Sequence, residues 1–240
     1  MSRMVDNILQ VSSLSAFYAQ SQVLFGVALF VKTGEQVAVL GRNGVGKTTL
    51  FRAITATDGV RRSGKIVLDG CEIQHWTSSK IARLGIGYVP QGRRIFPSLT
   101  VDEHLKLPQF IKKKSSGTAW TAKVVYEVFP ELHRRRRVLA GRLSGGEQTM
   151  LAIGRALVCN PKLLLMDEPS EGLSPAVIQR VLDVCSRLKE MSISVLLAEQ
   201  NLEVARVAQR AYLLSSGKIV IEGETDSLLR SETIGEYLFK

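Results

Sequence analysis

The residues whose chemistry is plainest form one run, Gly41-Arg42-Asn43-Gly44-Val45-Gly46-Lys47-Thr48-Thr49. They fit the spacing G-x-x-x-x-G-K-[ST], in which glycines let backbone N–H groups close around phosphates and a lysine reaches the β- and γ-phosphates. The hydroxyl of Thr48 can ligate Mg²⁺, which prefers hard oxygen donors. Both flanks suit this chemistry. Residues 36–40, Gln-Val-Ala-Val-Leu, form a short apolar run of the kind found in a buried parallel strand. Leu50, Ala53, Ile54 and Thr57 recur at helical spacing before a stop at Asp58-Gly59. A strand entering a glycine loop that opens a helix presents unpaired donors and a positive dipole end to an anion.

Other polar residues sit where apolar runs end. Residues 86–89 read as a core strand followed by Pro90 and Gln91. Residues 162–166 read as another, ending in Asp167-Glu168-Pro169, and residues 194–198 as a third, ending in Glu199-Gln200-Asn201. Ligands of open α/β sheets bind outside the carboxyl ends of the strands. Gln91, Asp167, Glu168 and Gln200 therefore gather beside the phosphate loop as a candidate hydrolysis site.

The remaining elements must position that edge. Residues 8–15 and 23–32 read as two strands near the N-terminus, separated by Phe17-Tyr18, aromatics that could stack on a purine or fill a strand end. Residues 64–69 add a strand, and residues 77–84 a helix stopped by Gly85. Strand patterning ceases at Ile95. Thr100 with Glu103, and Ser144 with Glu147, are capping-box pairs that open helices. Residues 122–129 read as a further helix that ends at Pro130. This predicts a helical insertion within an α/β fold, placed at about residues 95–157 of a single domain spanning 1–240. Residues 212–221 close the chain as a hairpin around Ser215-Ser216-Gly217.

Composition narrows the class. At 240 residues and 45% hydrophobic content the chain can bury a sizeable core. The longest tempting apolar stretch, residues 23–31, is far short of the ~20 residues a membrane helix needs. Asp6 and Asn7 stand where a signal peptide needs an apolar core, so the expected compartment is the cytosol. Cys71, Cys159 and Cys185 have no metal-ligand spacing and read as buried thiols. Net charge is +10, and residues 94–142 hold eleven Lys/Arg against four Asp/Glu, 11 − 4 = +7 of it. Lys112-Lys113-Lys114 and Arg134 to Arg137 dominate that excess. Such runs are usually a solvated face; nucleic acid or an anionic membrane surface are the sharper readings.

Leu143-Ser144-Gly145-Gly146-Glu147, between the phosphate loop and Asp167-Glu168, resembles the signature of the ATP-binding cassette (ABC) ATPases. The likeness covers nearly the whole chain. Gly92-Arg93-Arg94-Ile95-Phe96-Pro97, Glu168-Pro169-Ser170-Glu171-Gly172-Leu173 and Ala198-Glu199-Gln200-Asn201 look like the ATP-binding subunits of branched-chain amino-acid importers and of the similar urea importers. The resemblance implies a P-loop NTPase core with a parallel sheet, an N-terminal antiparallel β subdomain and a helical insertion. It implies that Tyr18 stacks on adenine, that Gly41, Asn43, Gly44, Gly46, Lys47, Thr48 and Thr49 bind ATP, and that Thr48, Gln91 and Asp167 serve Mg²⁺. Glu168 would polarise the attacking water, with Lys47 and Gln200 at the γ-phosphate. Ser144, Gly145, Gly146 and Glu147 would meet ATP held by a second ATPase subunit, identical or similar.

Three departures stand out. Glu147 closes the signature where Gln is common, Ser174-Pro175 replaces a common aspartate, and Gln200 replaces the switch histidine, as in the amino-acid and urea branch. An amide can donate a hydrogen bond to phosphate but carries no proton in exchange. The implied partners are membrane permeases and, indirectly, a periplasmic or extracellular solute-binding protein, with the chain peripheral on the inner face of the cell membrane. A urea or short-chain amide importer is the alternative. A soluble ABC ATPase acting on DNA or ribosomes is a second class. One cassette rather than two, no coiled-coil insertion and no zinc-type cysteines argue against it, so no nucleic-acid partner is expected.

Overall fold

The computed structural model describes residues 7–107 and 120–239. The Lys112-Lys113-Lys114 run lies outside them. Two sheets share the architecture. β1 (Asn7–Tyr18), β2 (Ser21–Lys32), β4 (Arg61–Leu68) and β5 (Cys71–Glu72) form an antiparallel sheet in the order β2-β1-β4-β5. β3 (Gln36–Leu40), β6 (Ile86–Val89), β7 (Leu163–Asp167), β8 (Ser194–Glu199), β9 (Arg210–Ser215) and β10 (Lys218–Glu224) form the second, in the order β10-β9-β3-β8-β7-β6. Its neighbours are parallel from β9 to β6, and only β10 runs antiparallel.

The apolar runs explain this sheet. Every residue of β3, β7 and β8 is buried, as strands covered on both faces must be. Alternate residues serve opposite cores. Leu163 and Leu165 of β7, with Leu196 and Ala198 of β8, join the core beneath the antiparallel sheet and the helix α1 (Lys47–Thr55). Leu164, Met166, Val195 and Leu197 join the other core, with α3 (Val101–Lys106), α4 (Ala122–Val128), α5 (Pro130–Arg134), α6 (Gly145–Leu157) and α7 (Pro175–Glu190). α2 (Ser78–Leu84) precedes β6 at the sheet edge. α8 (Leu202–Ala205), α9 (Thr225–Leu229) and α10 (Glu232–Phe239) cover Ala38 and Leu40 of β3 in a smaller core.

Between β6 and β7 the described elements are all helical, as the loss of strand pattern predicts. Both capping boxes form: Thr100 with Glu103, and Ser144 with Glu147, each exchange side-chain and backbone bonds. Pro130 both follows one helix and opens the next at its first turn, where a missing N–H costs nothing. α7 was not marked out by the reading above. Its buried stripe of Val181, Val184, Cys185 and Leu188 has helical spacing, and Ser174-Pro175 starts it. Arg134 to Arg137 are exposed at and beyond the end of α5, and Arg135 Nε lies 3.3 Å from Glu147 Oε1.

The cysteines need a correction. Cys185 is buried, but Cys71 and Cys159 are only half-buried: Cys71 packs at the margin of the core beneath the antiparallel sheet, and Cys159 lines an open groove with Tyr88 and Phe96. Burial pushes the Cys185 thiol up to about 12. Since the thiolate is the reactive form, iodoacetamide at pH 8 should label Cys71 and Cys159 in the folded protein and spare Cys185 until denaturant is added. Peptide mapping of the alkylated protein reads this directly.

Candidate active site

The carboxyl ends of β3, β8, β7 and β6 lie side by side and in register. β3 passes into the glycine loop and α1 begins at Lys47. Gly46 caps the helix with φ 114°, and a Cβ there would sit 2.8 Å from Leu24 Cδ2. Only glycine takes this backbone without steric cost. The first N–H groups of α1 have no partner inside the helix, which leaves them for an anion.

Lys47 is 3% exposed. Its Nζ donates to Gly41 O at 2.6 Å and Arg42 O at 2.8 Å, and pairs with Glu168 Oε1 at 2.8 Å. Thr48 Oγ1 lies 3.2 Å from Asp167 Oδ1 and 3.4 Å from Gln91 Oε1. Asp167 is buried, and its Oδ2 accepts from the Tyr88 hydroxyl at 3.2 Å. Burial pushes the Asp167 carboxyl above its ordinary range, opposed by the bonds from Thr48 and Tyr88. Burial likewise pushes the Tyr88 phenol well up, so that it stays a donor. Gln91 Nε2 donates to Glu168 Oε2 at 3.2 Å and to Glu171 Oε2 at 2.9 Å. Glu168 holds a left-handed backbone, φ 48°, fixed by its N–H donating to Ala198 O at 2.9 Å. A non-glycine residue in that region costs about 1–3 kcal/mol, and such residues cluster at functional sites.

These groups fit a nucleoside triphosphate and Mg²⁺. A cavity of about 200 Å³ is lined by Gly44, Gly46, Lys47, Thr48, Gln91 and Glu168 among others. Thr48, Gln91 and Asp167 bring a hydroxyl, an amide and a carboxylate oxygen together, all hard donors. A buried carboxyl pushed toward neutrality is also one that a divalent cation would keep ionised.

The other predicted residues take different stations. Asn43 and Thr49 line the same cavity. Gly41 lies beneath it, with its carbonyl taken by Lys47. Tyr18 is half-buried at the end of β1, and its hydroxyl accepts from Arg52 Nη1 at 3.0 Å. Gln200 is exposed in an adjoining open cleft of about 580 Å³, shared with Asn43, Glu168 and Ser170. Ser144, Gly145, Gly146 and Glu147 line neither space. They open α6 elsewhere, with Ser144 exposed and Gly146 buried so close to α7 that a Cβ would meet Val177 Cγ2 at 2.6 Å.

Sequence reasoning gave no role to Tyr88, Glu171 or Glu199. A hydroxyl in an otherwise apolar strand, and charged residues inside the runs that follow β7 and end β8, were the available signals.

A model of the ABC transporter family matches residues 24–171. The chain belongs to that family. The high-affinity branched-chain amino acid transport ATP-binding protein BraG of Pseudomonas aeruginosa is 41% identical to it over 228 residues, 95% of this chain and 97% of BraG. A protein of Archaeoglobus fulgidus described as "Probable branched-chain amino acid transport ATP-binding protein LivF" is 36% identical, over 94% of this chain and 95% of LivF. Among solved structures, the ADP conformation of MJ1267, an ATP-binding cassette of an ABC transporter, matches with a TM-score of 0.82 at 25% identity, covering 98% of this chain and 100% of that one. The chain is thus an ABC-family ATPase with the expected fold, and no helix among its described residues is long and apolar enough to cross a membrane.

In such a cassette Lys47→Ala removes a charged donor aimed into the phosphate cavity. Hydrogen bonds to charged groups contribute about 1.5–3 kcal/mol each, so ATP affinity should fall roughly 10–150-fold or more. Isothermal titration with ATP and Mg²⁺ is the measurement, and unchanged affinity would contradict the assignment of the loop.

Proposed function

We propose that the chain is the energy-coupling ATPase of an ABC importer for branched-chain or other hydrophobic amino acids, acting on the inner face of the cell membrane with permease subunits and a second ATPase subunit. The observation that carries the catalytic reading is the meeting of Lys47, Thr48, Gln91, Asp167 and Glu168 at one edge. The substrate reading rests on the likeness to BraG and LivF across almost the full length of each. Residues 1–240 act as one domain in this reading, with residues 95–157 as its helical subdomain.

ATP seats its phosphates on the backbone N–H groups of the glycine loop and α1, and its adenine against Tyr18. The phosphates compete with Glu168 for Lys47, because both lie within reach of the same ammonium. With Lys47 turned to phosphate, the Glu168 carboxylate keeps its bond from Gln91 and is free to act as a base. It takes a proton from water as the water oxygen attacks the γ-phosphorus and the bond to the β-γ bridging oxygen breaks. Thr48, Gln91 and Asp167 would hold Mg²⁺, which would supply positive charge against the phosphates. Gln200 donates its amide N–H to the γ-phosphate from the adjoining cleft.

The signature supports the two-subunit arrangement. Its capping box orders the start of α6, and Ser144 is exposed away from the phosphate cavity of its own chain. An ordered helix start with free N–H groups suits ATP held by a partner. For the permeases, an open groove beside β6 is the natural seat. It measures about 720 Å³, is mainly apolar, and runs between Ser78, Tyr88, Arg94, Phe96 and Arg155, with Phe96 52% exposed. The solute-binding protein meets the permeases rather than this chain.

Glu168→Gln should bind ATP like the parent and turn over at least 100-fold more slowly, because an amide cannot take the proton. ATP should then hold the variant as a dimer in gel filtration. A variant that hydrolyses at the parental rate would remove Glu168 as the base. Gln200→Ala should lower turnover by about 10–1000-fold, up to the loss of about 1000-fold that removing one positioned donor can cause, in steady-state assays with the permeases present. Transport specificity is tested by reconstituting the chain with its co-purified permeases in vesicles. ATP-driven uptake of leucine but not urea is expected, and the reverse would overturn the substrate reading.

A further inference from the structure

We propose that Glu199 is a positioning residue, a buried carboxylate that sets the spacing between the base Glu168 and the γ-phosphate partner Gln200. The proposal rests on the ATPase reading above and deepens it.

Glu199 ends β8 and is 2% exposed. It contacts three of the four segments that make the site, all but the one carrying Gln91. Its backbone carbonyl accepts from Gly41 N at 3.3 Å, the first residue of the phosphate loop. Its Oε2 accepts from Asn201 N at 3.3 Å, and its Oε1 accepts from Ser170 N at 3.1 Å. The peptide that carries Gln200 is therefore held from both sides by one residue. The same side chain reaches the loop two residues beyond Glu168, whose own N–H is fixed by Ala198. Gln200 itself is exposed, so its direction depends on the backbone beneath it.

A carboxylate is the group this geometry requires. Two backbone N–H groups from different segments each need an acceptor, and buried donors are seldom left without one. Glutamine supplies one oxygen and one NH₂, so one of the two N–H groups would face a second donor. Aspartate keeps both oxygens but is one methylene shorter, and it cannot reach both segments from the same backbone. The consequence falls on the relation between Glu168 and Gln200, not on the phosphate-binding groups, which hang from β3 and α1.

The test uses the full chain with its permeases and compares Glu199→Gln, Gln200→Ala and the double variant. Glu199→Gln should lower kcat about 10–100-fold, less than the roughly 100–1000-fold for removing a positioned donor outright, with ATP affinity within about twofold of the parent. In the Gln200→Ala background the same change should lower kcat less than about threefold, because its effect passes through Gln200. Multiplicative losses, unchanged kcat in the single variant, or a parallel fall in ATP affinity would each overturn the proposal. If Glu199→Gln does not fold, Glu199→Asp is read in the same way. Failure of both to fold while Gln200→Ala folds would also overturn it, because the carboxylate then supports the core. A parent without turnover would refute the ATPase reading itself and take this proposal with it.

Discussion

A lysine ammonium held almost out of water governs the site. Lys47 is 3% exposed, and a charge so placed must be paired and hydrogen-bonded or it destabilises the fold by several kcal/mol. Its partners are two carbonyls of the glycine loop and the carboxylate of Glu168, which follows a different strand. The pairing thus demands that the loop after β3 and the end of β7 meet. β8 lies between those strands in the sheet, so the meeting takes place across its end. A phosphate that took the ammonium would leave the Glu168 carboxylate without this pair.

The sheet supplies the rigid frame for that exchange. β3, β7 and β8 are buried on both faces, so their register is specified twice, once by each core. A slip of one residue would turn each strand's apolar set toward the wrong core and move Asp167 off the site. The left-handed backbone at Glu168 adds a local cost that the frame can hold, since the N–H of Glu168 is bonded to β8. Rigidity at the strand ends is what allows a small change at Lys47 to matter.

Much of this was legible before the structure. The spacing pointed to a phosphate loop, and the run does lie between a buried strand and a helix; continuous apolar runs identified the core strands after which Gln91, Asp167, Glu168 and Gln200 stand. Both capping boxes form as their residue types predict. What stayed hidden depends on side chains meeting across the fold. Nothing in the local sequence says that Tyr88 donates to Asp167, that Glu171 competes for Gln91, or that Glu199 bridges two loops. The cysteines were misjudged for a related reason. Residue type favours burial, but Cys71 falls at the margin of a core and Cys159 lines an open groove. α7 carries its own local signals, a Ser174-Pro175 start and a regular buried stripe behind it.

The segment after Gln91 shows how the two halves of the cassette are joined. Arg93 and Arg94 both take left-handed backbones, φ 66° and 41°. Arg93 Nε donates to Thr149 Oγ1 at 3.1 Å on α6, and a Cβ on Gly145 would touch its guanidinium. Arg94 forks onto Asp58, just beyond α1, with bonds of 3.3 and 3.0 Å. Arg155 of α6 donates back to the carbonyl of Arg94 at 2.9 Å. Phe96 stacks on the buried ring of His104 in α3 and stands in the apolar groove. The loop carrying a candidate metal ligand is therefore fastened to the phosphate helix at one end and to the signature helix at the other. A shift of α6 must therefore draw the loop that carries Gln91 with it or break these bonds.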